Sequence, residues 1–576
     1  MKKYYTILSA AVIALVIYSC QGTQATKNHV QGAAFEYRDI YLPSFSDKEN
    51  KELQLNSLDN DWGIWGHNMA NVLPEDPSLT VYATLDGNIE EDQYCFSSGK
   101  LFQYFCDYID NNYGRNDSIR FAVIPNDNVI ACQCKECVAL GNTRGNATPA
   151  VFDFVTRLAN KYPNHTFFTS HYLTTEKLPA NKLPANTGVL ISAMQYPLAA
   201  GPTGKEESFK NVLKSWQGKT DKVYIWDYIN DFDDYFTPYP VFNVMQRRFQ
   251  TYRDLGVHGV FLNGSGEDYS VFSRLKKAVL SHMMINPDLD WEETLRKYAA
   301  KYYPVAGNDI VDFIIAQEEM VAAHGKPLPM YDGVETARKL YLPEHEFMEF
   351  YNKIQTHKKL ATGWEKKELE TMAEALSLTL LELKRIKGQV DEDGHLQTRL
   401  GRLPQKGIET YNEGYWSIKK YLDNYKFILD NYNETKDRNM LKGVTLQART
   451  PLDEDYTDIT IITNGLLGIS SNYHSGNMIS SADPALDIAV PRINGMKKLK
   501  VWLSYNPGFK IGLPQEVWLM SGGQKIAAVV PERPVGESGH TSVEFDIPQS
   551  GDIVLSFRKN PDVKTFAIDE IQGYSE

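Results

Sequence analysis

Three carboxylates stand at or just after the ends of β-rich runs in the first half of the chain: Asp127 closes "SIRFAVIPND", Asp227 lies in "KVYIWDYI", and Glu267 follows "HGVFLNG". Comparable run ends carry Trp65 and His67 ("WGIWGH"), Asn126, His171 ("TFFTSHYL"), Tyr196 (just after "TGVLISAMQ"), Trp226, Tyr228 and Asn263. Cleavage of a glycosidic bond needs one carboxylic acid to protonate the leaving oxygen. It also needs a second carboxylate, or the substrate's own acetamido group, to stabilise the oxocarbenium-like centre. Trp and Tyr offer flat faces to sugar rings, and His and Asn bind hydroxyls. Taken one at a time, each acidic residue has an ordinary reading as a helix cap or a loop ion pair. The set says more, because acids and aromatics recur at the same end of successive runs. Other catalytic classes lack an anchor: no H-E-x-x-H zinc motif occurs, and "NGSGE" around Ser265 is not a G-x-S-x-G elbow.

Residues on separate runs can meet only if a fold brings the run ends together. From 35 to 304, seven β-rich runs alternate with amphipathic stretches such as "FQYFCDYIDNNY" and "AVFDFVTRLANKY", the pattern of βα units on a parallel sheet. The expected fold is a multi-domain α/β + α + β chain led by a (β/α)8-type barrel with one strand unplaced, and such a barrel gathers its functional groups at the strand ends. An open doubly wound sheet is the alternative; neither a Gly-rich dinucleotide fingerprint nor a Walker A loop supports a nucleotide in it. Residues 305–437 read as a helical domain. There Leu369, Met372, Leu376, Leu380 and Leu383 recur at spacings of three and four, a packing stripe. Residues 438–576 break into short strands punctuated by Gly, Pro and Asn and read as a β-sandwich.

The formal charge of −13 over 576 residues argues against nucleic acid as a partner. The N-terminus, "MKKYYTILSAAVIALVIYSC", has two lysines, then an apolar run too short to span a bilayer, and reads as an export signal over 1–20. Its ending resembles a bacterial lipobox. Cys20 is then the lipidation site and membrane anchor, residues 21–34 a tether, and the location the outer membrane. The absence of an acidic run after Cys20 favours the periplasmic face.

Several segments together resemble domain of unknown function 4838: "EYRDIY", "DWGIWGHNMANVLPEDP", "DQYCFSS", "VIPNDNVIACQCKECVAL", "KVYIWDYINDF" and "GVHGVFLNGSGED". Members of that family are barrel proteins of polysaccharide-degrading bacteria, and some are assigned to glycoside hydrolase family 163, endo-β-N-acetylglucosaminidases acting on N-glycans. The resemblance implies a retaining hydrolase assisted by the substrate's acetamido group, with a glycan as partner and no required cofactor. Within that chemistry Glu267 is the expected general acid/base, and Asp127 the residue that orients the acetamido group or shares the proton work. The reverse assignment stays open, and Asp227 is the third choice. The C-terminal region resembles a discoidin-type, galactose-binding-like sandwich, although Asn464 replaces the usual Asp of its "L-T-D-G" turn. Two rivals remain: a glycan-binding lipoprotein without turnover, and a glycosidase for another sugar such as an α-glucuronide. The second needs Arg or Lys at the rim, and the run ends supply none.

The Cys-x-Cys-x-x-Cys of Cys132, Cys134 and Cys137, with Cys95 upstream, allows two readings. Four thiolates could hold a structural zinc. Alternatively the set contains a disulfide and free thiols, which the exported location favours. Either way the cysteines stiffen the loop after Asp127.

Overall fold

The computed structural model describes residues 32–43, 46–414, 416–536 and 538–576. The export signal, Cys20 and most of the expected tether lie outside the described residues.

All seven anticipated runs form strands of one parallel sheet: β1 (Tyr37–Tyr41), β2 (Trp62–Ile64), β3 (Arg120–Ala122), β4 (Thr166–His171), β5 (Thr187–Ser192), β6 (Val223–Tyr228) and β7 (Gly259–Asn263). Their lateral order is β1-β7-β6-β5-β4-β3-β2. This corrects the (β/α)8 expectation. Among the described residues the sheet has seven strands, and β1 and β2 are edges with no ladder between them.

The sheet is nevertheless curled until those edges face each other. Side chains alternate along a strand, so Tyr37 of β1, Trp62 of β2, Phe168 of β4 and Tyr224 of β6 point to one interior and fill it. Ring centroids are 5.9 Å apart for Tyr37–Trp62, 5.0 Å for Trp62–Phe168, 4.5 Å for Phe168–Tyr224 and 5.5 Å for Tyr37–Tyr224. Glycines make room for them: a Cβ on Gly259 would sit 2.8 Å from the Tyr224 ring.

Side chains and one loop do the work of a ladder along the β1/β2 seam. Asn56 N–H donates to the Arg38 carbonyl at 2.7 Å, and its Oδ1 accepts from Arg38 N–H at 3.0 Å, so β1's outer backbone groups are not left bare. Trp62 Nε1 donates to the Tyr37 hydroxyl at 2.9 Å, and Leu58 N–H donates to Asp39 Oδ2 at 2.7 Å. Burial pushes the Asp39 carboxyl up to about 7, against the pull of Leu58 N–H, the Tyr37 hydroxyl and the Lys277 charge.

Helices Gly99–Asn112, Thr148–Lys161, Glu206–Gln217, Phe242–Asp254 and Ser273–Ile285 follow strands and cover the outside. The helical region is led by Gly307–His324, Glu344–Leu360 and the 24-residue Gly363–Ile386, on which all five stripe residues are buried. One cluster of buried side chains runs from Phe35, just before β1, through these helices to Ile469. The C-terminal part forms two five-stranded sheets around their own apolar core, antiparallel except where Ile511–Gly512 runs parallel to Thr565–Tyr574. Asn464 lies against the helical region, with its Oδ1 accepting from Leu466 N–H at 2.8 Å and its carbonyl facing Gly388, so it plays the part of a turn residue there.

Candidate active site

The loop after β3 carries Asp127 and is held from both sides. His67 Nδ1 meets the Pro125 carbonyl at 2.6 Å. Gln93, on the second strand of a hairpin (Tyr82–Leu85 and Asn88–Tyr94), accepts from Asn126 N–H at 3.0 Å and donates to the Asn126 carbonyl at 3.1 Å. Asn126 Nδ2 donates to the Asp92 carbonyl at 2.9 Å. Asn126 and His67, expected to contact substrate, thus spend these polar atoms on loop geometry. What the loop presents is Asp127, exposed at the mouth beside Tyr172, whose hydroxyl its charge helps push up to about 12 after burial has done most of the work.

Asp227 and Tyr196 require correction. On β6, Trp226 and Tyr228 share a face, so the intervening Asp227 points the other way, into the helix layer. There it is fully buried, ion-paired to Arg248, with Tyr252 donating to Oδ2 at 2.6 Å. It cannot reach a sugar at the mouth. Tyr196 is also buried, stacked on Phe209 at 4.6 Å with the Arg248 guanidinium over its ring at 4.3 Å, and its hydroxyl has no hydrogen-bond partner. It belongs to the same packed ion-pair site.

The other expected residues do converge. Tyr41 at the end of β1 and Trp65 just past β2 meet edge to face at 5.6 Å, and Trp65 Nε1 donates to Asp59 at 3.1 Å. Trp226 packs on Phe261 at 4.4 Å, and the Tyr228 hydroxyl lies 3.3 Å from Ser192 Oγ. Asn263, half-buried, closes β7 opposite both Tyr41 and Tyr228 in register. Beyond it the chain turns at Gly266, whose φ of +61° and 3.1 Å approach to the Tyr41 ring disfavour a side chain. The Ser265 hydroxyl closes this turn on the Asp268 carbonyl at 2.7 Å. Exposed Glu267 and half-buried Asp268 follow. Burial, then the Glu267 charge, raise the Asp268 carboxyl, and after burial and Asp59 the Glu267 charge also raises the Tyr41 hydroxyl.

Two groups at the mouth come from the helical region, which the sequence presents as packing alone. Glu413 N–H donates to the Phe232 carbonyl at 2.8 Å, in the loop after β6, and the Tyr331 hydroxyl donates to Glu413 Oε2 at 3.1 Å. Part of Glu413 is open to solvent, yet desolvation by its neighbours, followed by the charges of Asp233 and Asp127, raises its carboxyl against the Tyr331 hydrogen bond. Burial, then the charges of Glu413 and Asp268, raise the Tyr235 hydroxyl. The only local sign of Glu413 is its setting, a Gly/Asn turn among aromatics in "TYNEGYW".

Beside the mouth lies a cleft of about 310 Å³ lined by His171, Tyr172, Ser192, Gln195 and Lys205 among others. Burial pushes His171 down to about 4, so it stands neutral there, with Nδ1 unpartnered. Lys205 reaches this cleft from the loop after β5, so a cation stands near the rim although the strand ends themselves supply none.

The four cysteines Cys95, Cys132, Cys134 and Cys137 also converge, behind the Asp127 loop, with all four Sγ atoms within 4.8 Å of one another. No disulfide joins the five described cysteines.

Residues 21–314 match the family described as domain of unknown function 4838. No curated protein matches the chain. Among solved structures, one titled "Crystal structure of SpGH29" aligns over 96% of this chain and 97% of its own at 10% identity, with a TM-score of 0.16, a likeness that carries no argument.

Proposed function

From the premise that the chain belongs to the family described as domain of unknown function 4838, we propose that it is a glycoside hydrolase. Its substrates in this reading are N-acetylglucosamine-containing glycans, bound at the mouth of the parallel sheet. One arrangement supports the reading: at the strand ends the Asp127 charge acts on Tyr172 and Glu413, and the Glu267 charge acts on Asp268 and Tyr41, so that acids and aromatic rings alternate there, and the Asp268 and Glu413 carboxyls are raised by burial and by neighbouring charge. A general acid needs a carboxyl that keeps its proton near neutral pH, and desolvation supplies that. Asp268 and Glu413 are both shifted in that direction, and Asp127 and Glu267 are then the candidates for the partner carboxylate.

In the substrate-assisted scheme the acid gives its proton to the leaving oxygen as the C1–O bond breaks, while the acetamido oxygen of the substrate closes on C1. The partner carboxylate accepts the acetamido N–H. Water then reopens the cyclic intermediate, and the acid recovers a proton from it. The aromatic walls hold the flanking sugars.

The test is incubation with high-mannose and complex N-glycoproteins, with released glycans read by mass spectrometry. Products bearing one reducing-end N-acetylglucosamine are expected. Intact substrates that still bind would mean a capture protein instead. Lys205 in the adjoining cleft supports a second reading, an acidic sugar in the substrate, because an ammonium there could pair with a uronate or another sugar carboxylate. Loss of acidic-glycan turnover alone in Lys205→Ala would select that reading.

A further inference from the structure

We infer that Cys95, Cys132, Cys134 and Cys137 hold a structural zinc ion that clamps the loop bearing Asp127. The inference does not depend on which reaction the mouth performs. Cys95 Sγ lies 3.6 Å from Cys134 Sγ and 3.8 Å from Cys137 Sγ. The corners of a ZnS4 tetrahedron with bonds of about 2.3 Å are about 3.8 Å apart. A disulfide needs about 2.05 Å. The cluster therefore has the dimensions of a closed, four-coordinate thiolate site.

Its surroundings fit that use. Thr84 N–H donates to Cys132 Sγ at 3.3 Å, and Cys137 N–H donates to Cys134 Sγ at 3.4 Å. The Ser97 hydroxyl lies 3.3 Å from Cys95 Sγ, 3.3 Å from Cys134 Sγ and 3.1 Å from Cys137 Sγ. Donors such as the Thr84 and Cys137 N–H groups, and the Ser97 hydroxyl toward one sulfur, orient metal-bound thiolates and stabilise their charge. Cys95, Cys132 and Cys137 are buried and Cys134 is half-buried. Zinc would replace thiol protons, which pass to solvent, with no change of oxidation state. Four sulfur ligands leave no open coordination position, so the ion is structural.

The placement gives the ion a task. Cys95 ends the hairpin whose Gln93 grips Asn126 on both its N–H and its carbonyl, and Cys132 follows Asp127 by five residues. One ion thus joins the hairpin to the far side of the Asp127 loop.

The test uses the full purified chain: metal content by mass spectrometry, thiols counted by alkylation after unfolding in chelator, and X-ray absorption at the zinc edge. One zinc per chain with four sulfurs at about 2.3 Å is expected. Cys134→Ser should bind zinc at least tenfold more weakly and should speed amide exchange over 125–137. If that variant fails to fold, Co²⁺ added to zinc-free wild-type protein should give sulfur-to-cobalt charge-transfer absorption. A metal-free chain carrying the mass deficit of one or two disulfides would overturn the inference. So would a chain with all thiols free that takes up neither zinc nor cobalt, or one that holds a different metal.

Discussion

The Tyr331 hydroxyl donates to Glu413 Oε2 at 3.1 Å, and both residues come from outside the parallel sheet whose mouth they border. The hydrogen bond lowers a carboxyl that burial and the charges of Asp233 and Asp127 otherwise raise. Tyr331→Phe removes the lowering contribution. If Glu413 is the proton donor, activity falls as pH rises through its raised value, and Tyr331→Phe should move that alkaline limb to higher pH. A kcat/KM profile checks this; an unmoved limb would exclude Glu413 as the acid.

Glu267→Gln and Asp127→Asn should each lower kcat by roughly 10²–10⁴-fold while glycan binding, read by calorimetry, changes little. Glu413→Gln and Asp268→Asn belong in the same series. The member that loses its pH limb identifies the acid.

Asp227→Ala should behave otherwise. It strands the Arg248 guanidinium, 2% exposed, without its counter-charge, and should destabilise the fold by about 3–5 kcal/mol. Denaturant midpoints decide: a normally stable but inactive Asp227→Ala would return Asp227 to the list of catalytic candidates.

Asp39 makes stability depend on pH. Its carboxyl stands at about 7 in the folded chain against an ordinary 3.8, so between those values the folded state binds more protons than the unfolded one. Its contribution to stability is therefore present at low pH and is lost as pH rises from about 4 through about 7. Buried Glu318, also raised to about 7, and Asp234, raised to about 6, act in the same direction, while His171, lowered to about 4, opposes them below its ordinary 6.5. Lys276, lowered by burial to about 7, opposes them only above that value, so urea midpoints should fall between about pH 5 and 7, and Asp39→Asn should flatten that fall.

Gly259→Ala tests the packed interior. The new methyl would meet Tyr224, a ring already stacked on Tyr37 and held against Phe168, so there is nowhere for it to move. A loss of about 1–3 kcal/mol in thermal or chemical unfolding is expected.

Much of the fold was legible because its strands are apolar runs broken by Gly, Pro and Asn, and each of the seven runs became a strand. Closure was not, since the seam depends on Asn56, Leu58 and Trp62 reaching across to β1, contacts that no local pattern encodes. The misplacement of Asp227 was avoidable: Trp226 and Tyr228 cannot share the mouth with the residue between them, because neighbours on a strand face opposite ways. Glu413 and Tyr331 were out of reach, being far in sequence from the strands they border. In the ten-residue strand Thr565–Tyr574, Asp569 and Glu570 interrupt the apolar pattern that would mark it in the sequence. A bulge opposite Trp502 and Leu503 lets both acids be buried and bonded, Asp569 to Ser504 and His540, Glu570 to Gly465 and Asn439.

The gap between the two outermost strands has an evolutionary implication. Where a wall is knitted by a backbone ladder, changing its girth means shifting register, and every side chain on the strand turns over with it. Here residues 56, 58 and 62 span the join with individual contacts near the start of β1, so the spacing of the two edges can change by single substitutions while the register of the other six pairings stays as it is.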